Sequence, residues 1–153
     1  MIEAGLHNFQ VLRGLTSANS LLSGATNGSV SLSSEDGKAG ELQGWDLVPV
    51  PDFPGVYNIR VQGGTEPKYT YLSCTSDGET VNLIAEDDLS GRQRWRFVPA
   101  DSPICEYYQI IVVGGTSGGR VYLSCTSDGK QVNLIKDDDG SGRQRWQAQK
   151  IQT

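Results

Sequence analysis

One 24-residue phrase occurs twice in this chain of 153 residues: LSCTSDGETVNLIAEDDLSGRQRW from Leu72 to Trp95, and LSCTSDGKQVNLIKDDDGSGRQRW from Leu123 to Trp146. The copies align without a gap, agree at 19 of 24 positions and start 51 residues apart. A fainter third copy runs from Leu22 to Trp45, so the chain's three tryptophans fall at intervals of 50 and 51. A β unit of about 50 residues cannot bury its apolar face alone, so the three copies must share one core. The chain is long enough for one such core and too short for two large ones. The expectation is a single domain over 1–153, with repeats at about 5–50, 55–100 and 105–149.

Each unit reads as four short strands, twelve in all. The runs Phe9–Leu12, Val56–Val61 and Tyr107–Val112 open the units, and each is followed by a Gly-containing bend and a short strand ending at Leu22, Leu72 or Leu123. After an Asn-Gly or Asp-Gly turn, Val30 and Leu32, Val81 and Leu83, or Val132 and Leu134 point one way. Ser31, Asn82 or Asn133 point the other, as a two-residue period demands. Each unit closes on its tryptophan. No 11-residue stretch between breakers carries a helical period. Propellers close with four to eight blades, so three units fit a three-fold barrel capped by hairpins, with the tryptophans where caps meet barrel.

Composition narrows the function. A net charge of -5 argues against a broad nucleic-acid surface, which needs clustered Lys and Arg to displace counterions. No window is apolar enough for membrane insertion. No basic flank with an apolar run opens the sequence, so a cytoplasmic location is expected, with release by a non-classical route left open. Cys74, Cys105 and Cys125 read as three reduced thiols. No cofactor is implied. Calcium at Glu86-Asp87-Asp88 and Asp137-Asp138-Asp139 is disfavoured, because these runs lack the alternating oxygen spacing of a calcium loop.

The order strand, Leu-Ser, turn, Val-x-Leu, acidic loop and Gln-x-Trp covers the chain from Gly5 to Gln149. It resembles the β-trefoil family, particularly its ricin-B-like and fungal lectins. The resemblance implies an all-β fold of twelve short strands in three pseudo-symmetric repeats. It further implies a lectin with glycan or glycoprotein partners, crosslinking galactose- or GalNAc-type sugars through two or three repeat-related sites. Gln43-Gly44-Trp45, Gln93-Arg94-Trp95 and Gln144-Arg145-Trp146 preserve the family's Gln-x-Trp. The family's Asn before that Gln is here Leu42, Arg92 or Arg143. Its early sugar-binding Asp is Ser73 or Ser124, and its stacking aromatic is Ile84 or Ile135. Any sugar site must therefore be built differently.

Polar residues kept in both close copies give the candidates: Asp77, Asn82, Asp87 and Arg92, matched by Asp128, Asn133, Asp138 and Arg143. A carboxylate, an amide and a guanidinium together supply the donors and acceptors that adjacent pyranose hydroxyls require. Tyr71 and Tyr122 offer ring faces for a sugar's C–H surface or, equally, for packing. Asp77 and Asp128 also suit turn formation, and Asp87 with Arg92, or Asp138 with Arg143, suit loop-closing ion pairs. Glu79/Lys130, Thr80/Gln131, Ala85/Lys136 and Leu89/Gly140 differ freely, as solvated positions do. The first unit has Asn27, Ser31, Asp36 and Leu42 at the corresponding places, on a turn one residue shorter, and reads as a degenerate site.

Catalysis is disfavoured, because His7 is the only histidine and lies near a terminus, and the Asp residues recur as binding sites do. The alternative to a lectin is a β-trefoil protease inhibitor acting through one exposed loop, either Val50–Gly55 or Glu66-Pro67-Lys68-Tyr69. A homodimer is compatible with the acidic surface.

Overall fold

In the computed structural model, described here for residues 2–16, 18–25, 27–34, 43–62, 69–100 and 107–150, all regular structure is β. Twelve strands follow in chain order. They are β1 Gly5–Val11, β2 Leu21–Gly24, β3 Val30–Ser33, β4 Trp45–Pro49, β5 Val56–Val61 and β6 Tyr71–Cys74, then β7 Val81–Ile84, β8 Trp95–Pro99, β9 Tyr107–Val112, β10 Tyr122–Cys125, β11 Val132–Ile135 and β12 Trp146–Lys150.

Six of them close into a barrel. β1 pairs with β4, β4 with β5, β5 with β8, β8 with β9, β9 with β12, and β12 with β1, all antiparallel. Closure leaves this ring without an edge. The other six form hairpins β2–β3, β6–β7 and β10–β11, carried on β1, β5 and β9. The second strand of each unit does not end at its leucine: β2, β6 and β10 run on to Gly24, Cys74 and Cys125, because the facing strand continues the ladder.

The two-residue period sorts the side chains as the sequence suggests. Leu22, Leu72 and Leu123 are buried, and so are Val30, Leu32, Val81, Leu83, Val132 and Leu134. Trp45, Trp95 and Trp146 are fully buried, and each indole Nε1 donates to a hairpin carbonyl: Leu22 O at 2.9 Å, Leu72 O at 3.0 Å and Leu123 O at 3.0 Å. One bond per unit thus ties barrel to cap while satisfying the ring's single donor.

The hairpin turns also bond to their neighbours. Gly28 O accepts Leu83 N at 2.8 Å, and Gly78 O accepts Leu134 N at 3.0 Å. Both turns need glycine. At Gly28 (φ 89°) a β-carbon would lie 2.6 Å from the Tyr69 ring, and at Gly78 (φ 74°) 2.6 Å from Arg120 Cβ. His7 is not a fraying terminal residue. It is buried in β1 opposite Trp45 and Lys150, with Nδ1 3.0 Å from Gly5 O. Cys74 and Cys125 are buried free thiols, whereas Cys105 lies outside the described residues.

Candidate functional site

The turns and loops kept in both close copies form a framework whose bonds recur almost atom for atom. Its hub is the buried Gln of Gln-x-Trp. Gln93 donates from Nε2 to Ser73 Oγ at 2.9 Å and accepts Asp88 N on Oε1 at 2.9 Å. Gln144 does the same with Ser124 Oγ at 2.8 Å and Asp139 N at 3.0 Å. These glutamines are spent on holding the loop against the hairpin. In the first unit Gln43 donates instead to Ser33 Oγ at 2.6 Å and Ser34 O at 2.9 Å.

The loop's ion pairs differ from the sequence expectation. Asp87 pairs with Arg94 at 2.8 Å and Asp138 with Arg145 at 2.8 Å, while Arg92 lies 3.6 Å from Asp88 and Arg143 lies 3.7 Å from Asp139. Backbone turns explain the exchange. Asp87 Oδ1 accepts Leu89 N and Asp88 Oδ1 accepts Ser90 N, which aims the two carboxylates in different directions. Asp87 Oδ2 then takes Asn58 Nδ2 at 3.0 Å as well as Arg94, and Asp138 Oδ2 takes Gln109 Nε2 at 2.8 Å as well as Arg145. Burial pulls Asp87 and Asp138 upward, but these hydrogen bonds outweigh it and hold both below the usual carboxylate range.

Asp77 and Asp128 act in the hairpin turns. Each Oδ1 accepts a threonine hydroxyl two residues back, at 2.6 Å from Thr75 or Thr126, and the amide two residues on, from Glu79 at 2.9 Å or Lys130 at 3.0 Å. Tyr71 and Tyr122 are half-buried opposite Ile84 and Ile135, and the Arg60 guanidinium lies 5.2 Å from the Tyr71 ring centre.

Between the β6–β7 hairpin and the loop after β7 lies an open cleft of about 300 Å³, lined among others by Ser73, Asn82, Ile84, Asp88, Arg92 and Gln93. Asn82 and Arg92 therefore meet in one place. Asp77, Asp87 and Tyr71 do not line it. Asp88, kept in both copies but outside the binding set expected from the sequence, does line it, and its spacing of four from Arg92 is the signal that marks it. The Ser90 hydroxyl and amide, aided by Arg92, keep Asp88 below the usual carboxylate range, as Ser141 and Arg143 do for Asp139. Arg92 is fixed in turn, donating through one terminal nitrogen to Gly115 O at 3.0 Å, and Arg143 donates to Gly14 O at 3.0 Å. The cleft thus offers a carboxylate and a guanidinium side by side with no net charge.

Asn82, which lines this cleft, has a buried Oδ1 with no hydrogen-bond partner, and Asn133 Oδ1 in the third unit is likewise buried and unpartnered. A larger groove of about 460 Å³, where the three hairpin turns meet, is lined among others by Asn27, Ser29, Tyr69, Glu79, Asn82 and Lys130.

No protein-family profile matches the chain, and no curated protein sequence does. Solved structures do. The BEL β-trefoil superposes with a TM-score of 0.70 at 15% identity, covering 99% of this chain and 96% of that one. The fold is a β-trefoil. SeviL, bound to the asialo-GM1 saccharide, gives a TM-score of 0.65 at 17% identity, covering 98% of this chain and 100% of that one. Polyporus squamosus lectin, bound to a Neu5Ac-Gal-GlcNAc epitope, gives 0.69 at 14% identity, and this chain covers 99% of itself but spans only 50% of that protein.

Within this trefoil, the positions where the lectin pattern places an Asp and an aromatic carry different work. Ser73 and Ser124 are buried and receive the glutamine amides. Ile84 supplies an aliphatic wall in place of a ring. Of the first unit's equivalents, Asp36 and Leu42 lie outside the described residues, while Asn27 Oδ1 accepts Ser29 N at 3.0 Å and so plays the turn role of Asp77.

Proposed function

We propose that this β-trefoil is a carbohydrate-binding lectin, built from three pseudo-symmetric repeats, whose two equivalent sites are the loop-walled cleft of the second unit and the matching position at Asn133, Asp139 and Arg143 in the third. The observation that carries this reading is the pair of buried, unpartnered acceptors, Asn82 Oδ1 and Asn133 Oδ1. An unsatisfied buried acceptor costs about 1–3 kcal/mol, and stability alone gives no reason to keep it twice at the same register. When the amide turns its oxygen toward the cleft, a saccharide hydroxyl supplies the missing donor. Asp88 with Arg92, or Asp139 with Arg143, accept from and donate to the neighbouring hydroxyls. Their mutual neutralisation suits an uncharged polyol better than an ion. Galactose- or GalNAc-type sugars are the class suggested by the lectin resemblance. The saccharides held by the superposing lectins support carbohydrate as the class of ligand.

Two sites on one rigid body crosslink glycans, because the second engagement is intramolecular. The first unit, with Ser31 in place of Asn82, contributes no equivalent site. The test is agglutination of glycan-coated beads. Wild type should agglutinate them, while Arg92→Ala and Arg143→Ala should each bind soluble glycan yet fail to agglutinate. Full agglutination by both variants would exclude the two-site reading.

The inhibitor reading retains one specific support. The loop between β4 and β5 exposes Phe53 at 50% while three backbone hydrogen bonds, Val50 N to Val56 O, Phe53 N to Val50 O and Val56 N to Phe53 O, hold it rigid. Loss of protease inhibition on Phe53→Ala would establish that role; absence of inhibition by wild type would remove it. Lys68, the other candidate, lies outside the described residues.

A further inference from the structure

Five positions separate the two close copies, and two neighbouring ones, Glu79/Lys130 and Thr80/Gln131, line a single groove. Along the chain these pairs look like free variation on solvated turns; in the fold all four residues come together. The groove is the one of about 460 Å³ where the three hairpin turns meet, a volume within the range of small-molecule sites. Its lining includes Val30, Val81 and Val132, one equivalent residue from each unit and all buried, so the apolar part of the wall keeps the repeat. The charged part does not.

Exact repeats would set like charges around this groove, where they would repel one another. Instead the first unit brings Ser29 on its shorter turn, the second Glu79 and the third Lys130. The lining is neutral at one turn, anionic at the next and cationic at the last. Both charged residues are exposed, and among the described residues neither forms an ion pair. Asp128, held below the usual carboxylate range chiefly by the Thr126 hydroxyl and the Lys130 amide, also feels the Lys130 charge through space. Tyr69 completes the wall. Its ring packs so closely on the first turn that a β-carbon at Gly28 would lie 2.6 Å from it.

We propose that this groove is a second kind of binding site, for a small zwitterion with an apolar body: a free α-amino acid with an apolar side chain. The Glu79 carboxylate takes its ammonium group and the Lys130 ammonium takes its carboxylate, as charge-assisted hydrogen bonds. The side chain lies against Tyr69 and the valines. An uncharged sugar needs neither full charge, and a simple anion or cation would meet one like charge for each opposite one. The groove shares only the wall at Asn82 with the second unit's saccharide cleft, and its occupancy does not depend on the lectin reading.

The test is an amide NMR titration of the isotope-labelled protein with L-leucine and L-phenylalanine, and with two derivatives that each lack one charge. These are L-phenylalanine methyl ester, without the carboxylate, and N-acetyl-L-phenylalanine, without the ammonium. L-Phenylalanine should shift the amides of Ser29, Thr80 and Gln131 and bind about tenfold more tightly than either derivative, the weight of one charge-assisted contact. Glu79→Gln should abolish the preference over the N-acetyl derivative, and Lys130→Gln the preference over the methyl ester. Both should keep the urea midpoint of the unmodified protein, because the two side chains are exposed. Absence of shifts with both amino acids, derivatives that bind as tightly as the parent, or preferences that survive the two substitutions would each overturn the site and leave the lectin reading standing.

Discussion

Replacing Gln93 with Met tests the framework at its hub. The two side chains have similar length and volume, so the change removes polarity without opening a large cavity. Two hydrogen bonds vanish: the one from Gln93 Nε2 to Ser73 Oγ at 2.9 Å and the one from Asp88 N to Gln93 Oε1 at 2.9 Å. Gln93 is only 1% exposed, so water cannot take over on its side. Ser73 Oγ keeps a long 3.5 Å contact to Cys74 O, whereas the Asp88 amide is left without its acceptor. At about 1–1.5 kcal/mol for each lost bond and somewhat more for the orphaned amide, the loss comes to about 2–4 kcal/mol. For a domain of this length each kcal/mol lowers Tm by about 2–4 °C, giving a fall of about 4–16 °C. Urea unfolding followed by the fluorescence of the three buried tryptophans should show a lower midpoint at unchanged slope. The reach of the loop adds a second signature, because Asp88 and Arg92 are held by that amide and its turn, so saccharide affinity should fall with stability. A loss below about 0.5 kcal/mol would show that Gln93 is not the hub, and the Gln144 counterpart would then fail with it.

Three further outcomes follow from the same structure. Trp95→Phe keeps most of the buried ring surface but deletes the bond to Leu72 O, and should cost about 1–3 kcal/mol, read from the urea midpoint; a neutral effect would show that barrel and cap are not tied there. Asp87 and Asp138 titrate below the ordinary value of 3.8, so their contribution is complete above that value and is lost as pH falls through their lower folded values. Thermal unfolding between pH 5 and pH 2 should therefore show an acid limb that flattens in the Asp87→Asn/Asp138→Asn double variant; an unchanged limb would place the acid-sensitive groups elsewhere. Burial pushes the Cys74 thiol up to about 11 and that of Cys125 up to about 12, so both should resist iodoacetamide at pH 8 until denaturant is added, as peptide mass spectrometry would record. Rapid labelling of either in the folded protein would contradict their place in the core.

The barrel and its caps were legible because they rest on side-chain period. Val81, Leu83, Leu72 and Trp95 mark the inward face in the sequence as they do in space, and their counterparts repeat the pattern. The hairpin turns were legible too, since Asp77-Gly78 and Asp128-Gly129 carry their geometry in two adjacent letters. The site was only half legible. Asn82 stood out as a polar residue poorly suited to a strand, and Arg92 as a charge kept in both copies. Asp87 and Asp88 are adjacent and chemically identical in the sequence, and only the turn amides that each accepts decide which faces Arg94 within the fold and which faces Arg92 at the cleft. The positive φ of 70° at Leu89, where the third unit has Gly140, was likewise hidden, because it is a property of the folded backbone.

The central claim is that Asn82 and Asn133 wait for a ligand hydroxyl, and a glycan array probed with wild type and with the Asn82→Ala/Asn133→Ala double variant tests it most directly. Removing two unpartnered buried acceptors should leave stability unchanged or slightly raised while abolishing the array signal. A wild-type protein that binds no carbohydrate, or a double variant that binds as well as wild type, would contradict it.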